Sequence, residues 1–154
     1  MDKILSGLVL INETDIWTTY GAFLVEDKRG GMDNLTSILT PSKAKEDTAV
    51  DFREEHGEKY LSTLTPRNEA RDVTLHFALY AQTQATWLTK YRAFISFLKT
   101  GTNGWLDINF PQIDLTLHVK YSDSTKFTPL TYLWKEGVHA AKFKVKFREP
   151  VPII

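Results

Sequence analysis

The chain has 154 residues, 42% of them hydrophobic and 25% charged, which is enough apolar content for the core of one domain spanning residues 1–154. Its 19 basic and 19 acidic residues cancel, which argues against a nucleic-acid or anionic-membrane binder and suits a protein that associates with others. The absence of cysteine removes disulfides, thiolate metal sites and a cysteine nucleophile together, and fits folding in a reducing compartment.

The first apolar run, Leu8 to Ile11, is too short for a secretory signal, and no run approaches a membrane span, so a soluble protein without a leader is expected. That run, bounded by Gly7 and Asn12, reads as a strand. A turn over 12–15 follows, then an extended piece starting at Ile16 and Trp17, and a strand over 22–25 after Gly21.

Residues 26–60 are different. Charged residues, Gly30-Gly31 and Pro41 dominate, with one or two helical turns over 34–39 and a short strand over 49–52. So long a stretch with little apolar content reads as a functional excursion, a long loop or hairpin, and not as a second domain.

From Val73 the pattern sharpens. Val73, Leu75, Phe77 and Leu79 alternate with Thr74, His76 and Ala78, the period of a half-buried strand. Thr83 is placed to cap a helix over 84–99 whose Trp87, Leu88, Tyr91, Phe94, Ile95 and Leu98 share one face. Lys99 suits the helix C-terminus, and Gly101 closes it in a left-handed conformation. A hairpin follows, with arms over 104–110 and 114–121. A strand over 130–134 and a last strand over 138–148 complete the chain, about eight strands and one substantial helix.

The last strand puts Ala141, Phe143, Val145 and Phe147 on one side and Lys142, Lys144, Lys146 and Arg148 on the other. Two readings of the basic row stay open. It faces an acidic partner or passing DNA, or it is the solvent face of an edge strand, where lysines block strand-to-strand aggregation.

No residue is predicted to be catalytic, to bind a cofactor or to hold a metal. His56 sits among Glu54, Glu55 and Glu58 in the excursion without the spacing of a zinc motif. His76 and His118 fall on polar strand faces and His139 in the last strand, where a metal-free pairing on the sheet surface is the plainer reading. Asp107 and Asp114 flank the hairpin as turn-solvating carboxylates. A nucleophile elbow and a phosphate loop are both missing.

Three stretches together resemble a known family. They are the arginine-led strand Ala70-Arg71-Asp72-Val73-Thr74-Leu75-His76-Phe77-Ala78-Leu79-Tyr80, the helix Trp87-Leu88-Thr89-Lys90-Tyr91-Arg92-Ala93-Phe94-Ile95-Ser96-Phe97-Leu98, and the strands after Gly104. With the earlier Asp15-Ile16-Trp17-Thr18-Thr19-Tyr20-Gly21, they resemble the N-terminal domain of bacteriophage distal tail (baseplate hub) proteins and the related tail-tube fold, over about residues 8–148. The resemblance implies a mainly β (α+β) fold: an antiparallel β-sandwich or split barrel with one flanking helix. It implies a non-enzymatic tail or baseplate protein of a phage or prophage virion, made in the host cytoplasm. Its partners would be its own copies in a ring, usually of six, and other tail proteins, with DNA passing the channel unread and no membrane involved. Many distal tail proteins carry a second, C-terminal domain, whereas this sequence stops at Ile154, so a single-domain, tube-like or adaptor member is expected as much as a true distal hub. The rival expectation is a small-molecule or peptide-binding β-barrel, with the helix aromatics lining a cavity. A hydrolase ranks third.

Overall fold

A computed structural model describes residues 5–47, 49–51, 53–132, 134 and 137–154. Seven strands among them form one antiparallel sheet that curls on itself. They are β1 (Leu10–Ile11), β2 (Thr14–Asp15), β3 (Ala22–Leu24), β4 (Arg71–Ala81), β5 (Leu106–Phe110), β6 (Leu115–Pro129) and β7 (His139–Glu149), in the order β2-β1-β5-β6-β7-β4-β3. The fold is mainly β, a half-closed split barrel, within what the family resemblance implied.

β6 makes the corner. Leu115 to Val119 pair with β5, and Lys120 to Pro129 pair with β7. Register shifts after Tyr121 and Thr125 bend the strand and hand it from one half-sheet to the other. Those bulges also break the alternation that marks a strand in sequence. The arm expected to end at Tyr121 therefore continues to Pro129, and the described residues of 130–134 form no strand. Leu130 to Tyr132 and Trp134 lie in the connection to β7, and Leu133 lies outside the described residues.

Three helices are described. α1 (Ile16–Tyr20) replaces the expected extended piece. Asp15 accepts a hydrogen bond from the Trp17 backbone N–H at 3.1 Å, and Gly21 ends the helix at φ 69°, so caps at both ends outweigh the β-branched and aromatic residues between them. α2 (Asp33–Leu39) matches the helical turns expected in the excursion. α3 (Gln84–Thr100) is the long helix. Thr83 Oγ1 accepts from the Thr86 N–H at 3.3 Å, as a cap should.

α3 lays a narrower stripe on the sheet than its spacing suggested. Trp87, Phe94 and Leu98 are buried, Tyr91 and Ile95 pack at the margin, and Leu88 faces out. Phe94 stands 5.5 Å from Phe77 and 6.1 Å from Phe143, ring to ring, and Trp87 Nε1 donates to the Leu79 carbonyl at 2.9 Å. The helix thus fills the concave side of the curled sheet, together with Val73, Leu75 and Leu79 of β4 and Val145 and Phe147 of β7.

Gly101 closes α3, although not in the left-handed helical region. Its φ is 48° and ψ −141°, a region open to glycine, and a Cβ there would run into the Trp105 carbonyl and the Leu106 side chain. Gly101→Ala should cost about 1–3 kcal/mol, roughly 2–4 °C of Tm per kcal/mol in a chain of this size. A thermal melt with no loss would mean that the loop to β5 readjusts freely.

After α2 the excursion runs out as two antiparallel arms, touching at Ala44 with Asn68 and at Val50 with Lys59. It extends to residue 68, past the expected limit of 60. Val50 makes an isolated bridge and not a strand, and Phe52 lies outside the described residues.

Candidate functional site

Three features of the surface carry chemistry: the basic face of β7, the histidine–carboxylate pairs, and the exposed apolar residues on the projections.

The basic row does not lie on an edge. β7 sits between β6 and β4, and the edges are β2 and β3. Edge protection therefore does not explain Lys142, Lys144, Lys146 and Arg148. Their face does point away from the core, since Ala141, Phe143, Val145 and Phe147 are buried behind them. Asp72 on β4 is held by Arg148 at 3.1 Å and Lys146 at 3.4 Å. Burial pushes the Asp72 carboxyl up, but hydrogen bonds and charge from Arg148 and Lys146 outweigh it and hold the pKa below the usual value. Its share of stability is thus present above the ordinary carboxylate range and is lost as pH falls through the lowered pKa. Lys120 pairs with Arg148 across β6, which widens the positive face.

The histidines expected on the sheet surface do not meet one another. His76 is buried in the middle of β4, opposite Lys144 and 3.2 Å from Asp27. Its face of β4 reads as polar and half-exposed in sequence, but the start of α2 covers it. Asn34 Oδ1 accepts the His76 N–H, and Ser37 Oγ accepts the Thr74 N–H. His118 pairs with Asp107 at 2.7 Å and stacks on Trp105 at 4.7 Å on an exposed face. His139 is buried beside Thr131 Oγ1 at 3.0 Å. His56 stays exposed in the excursion. Asp114 sits in the left-handed turn after the 3₁₀ segment Pro111–Ile113, away from Asp107, so the two carboxylates form no acid/base pair.

A buried pair that patterning could not single out joins the ends of the fold. Arg71, first residue of β4, lies 3.2 Å from Glu149, last residue of β7, and also donates to the Thr40 carbonyl at the end of α2. An arginine opening an apolar strand was visible, but its acid is 78 positions away in the chain.

A cleft of about 540 Å³ opens at the β1–β5 end, lined by Asn12, Glu13, Thr102, Asp107, Asn109 and Thr116 beside Leu10. It lies on the surface. The helix aromatics fill the core and do not line a chamber, contrary to what a ligand-binding barrel needs. Exposed large apolar residues concentrate instead on the projections: Met32 just before α2 and Leu35 and Leu39 on it, Tyr60, Leu61 and Leu64 on the excursion, and Leu130, Trp134 and Val138 between β6 and β7. The Tyr132 and Trp134 rings pack 5.2 Å apart in that last connection.

Among solved structures, the chain is similar to the SPP1 Dit (gp 19.1) protein, described as a paradigm of the hub adsorption apparatus in phages infecting Gram-positive bacteria. The superposition covers 94% of this chain and 52% of that one, at a TM-score of 0.54 and 14% identity. The two share a fold. The chain therefore spans about half the length of the Dit protein. No family model matches the chain, and no curated protein matches it. Among the described residues no helix is long and apolar enough to cross a membrane.

Proposed function

We propose that this chain is a structural protein of a phage or prophage tail, without enzymatic activity, that associates with its own copies into a ring and with other tail proteins in the virion. The observation that carries this reading is the fold shared with the SPP1 hub protein over 94% of the chain. Two surface features support it. The exposed apolar side chains at α2, on the 44–68 arms and between β6 and β7 are of a kind that association buries. The basic face of β7 has no edge to protect, which leaves it available to a partner or to the DNA passage. Zero net charge lowers the repulsion between copies.

Light scattering at rising concentration, with negative-stain imaging, tests this. The expected result is a ring of about six copies, formed by the chain alone or on addition of the tail components it joins. A chain that stays monomeric at every concentration and forms no ring with tail components would defeat the proposal. Charge reversal at Lys120 and Lys142 should leave the melting curve nearly unchanged and weaken assembly. The same variants assembling normally would place the basic face outside the contacts.

A further inference from the structure

We infer that Asp27, Asp33 and His76 form a binding site for a divalent transition-metal cation of the zinc type. One donor atom from each lies within 4.8 Å of the other two. The imidazole belongs to the middle of β4 and is 6% exposed. Its Nδ1 is buried and makes no aligned hydrogen bond, although Asp27 Oδ1 stands 3.2 Å away. A buried ring nitrogen whose carboxylate neighbour is poorly aligned is only partly satisfied. A cation held between it and the two carboxylates would satisfy it.

The scaffold beneath these side chains is tied together. Glu26 accepts the backbone N–H groups of Asp33 at 2.7 Å and Asn34 at 3.3 Å. Asn34 in turn accepts the His76 N–H and donates to the Val25 carbonyl, each at 2.7 Å. The two segments that carry the donors are therefore held in register with no metal required, and only the exposed carboxylates of Asp27 and Asp33 need to turn. Metal–ligand bonds near 2.1 Å in a tetrahedral site set the donors about 3.4 Å apart, a closure of at most about 1.4 Å from separations that all lie within 4.8 Å. Three protein ligands leave a position for water. An imidazole with two carboxylates suits zinc or nickel, whereas magnesium and calcium favour all-oxygen sites. Lys144, opposite His76, and Lys126 act on Asp27 and compete with the cation, which lowers its affinity without blocking the site. A bound ion would pin both sides of the Gly30-Gly31 turn, and with it the root of the excursion, to the central strand.

Calorimetry and thermal melts of the full chain with zinc chloride, and with magnesium chloride in parallel, test the site. One zinc per chain and a Tm rise of several degrees are expected, with no effect of magnesium. Asp27→Asn and Asp33→Asn alter exposed groups and should each weaken zinc about tenfold or more while the apo chain stays folded, with at most a small loss of Tm from the lost Asp27–His76 pairing or helix-start charge. Lys144→Gln should tighten it, and His56→Gln and His118→Gln should change nothing. Zinc binding that survives both aspartate variants, that follows His56 or His118, or that is absent altogether would overturn the inference and leave His76 and Asp27 as an ion pair only.

Discussion

Phe94→Ala is expected to destabilise the chain by about 3–5 kcal/mol, the range for truncating a buried phenylalanine. Phe94 is fully buried, and its ring touches Phe77, Phe143 and Tyr20, from β4, β7 and α1. Truncation therefore opens a void where three elements meet, and none can close it without moving the others. Thermal or urea unfolding measures the loss. Leu88→Ala, six residues earlier on the same helix face in sequence but 42% exposed, should stay within about 0.5 kcal/mol of the parent. Equal losses at both positions would mean that α3 does not seat as described.

Arg71→Ala should cost a similar 3–5 kcal/mol for a different reason. Removal of the guanidinium strands the Glu149 carboxylate, which is 2% exposed, and deprives the Thr40 carbonyl of its donor. The pair already pays for burial, since Arg71 Nη2 and Glu149 Oε2 are buried without a hydrogen bond among the described residues. The double variant Arg71→Met with Glu149→Leu should accordingly recover most of the loss, because an apolar pair of similar volume avoids the stranded charge. A double-mutant cycle separates the cases. Additive losses would show that the two residues act independently, against the 3.2 Å contact.

These two positions differ in how far sequence exposes them. Phe94 was assigned to the core from helical spacing alone, because periodicity is a local property that burial imposes on neighbouring positions. Glu149 carried no local sign of its role, because its partner is reached only when β4 and β7 pair along their full lengths. His76 is intermediate. Its place on the face opposite Val73, Leu75, Phe77 and Leu79 was legible, but its burial was not, because the covering comes from Asn34 and Asp27 in a polar segment that reads as solvent-facing. The missed extension of β6 has a similar cause, since bulges cancel alternation while backbone pairing with β7 persists.

Sequence alone therefore determined the elements whose pattern repeats within one segment: the strand from Arg71, the helix from Gln84 with its Thr83 cap, the hairpin after Gly104 and the two-faced last strand. It also carried the resemblance to a tail hub, which rests on those elements in that order. Strand order was decided only by the tertiary structure, and so was the meaning of the basic row. Lys142, Lys144, Lys146 and Arg148 share a face because of a two-residue period, but whether that face borders an edge depends on which strands hydrogen-bond on either side. That choice is made by side chains far apart in sequence packing into one core, and no local spacing encodes it.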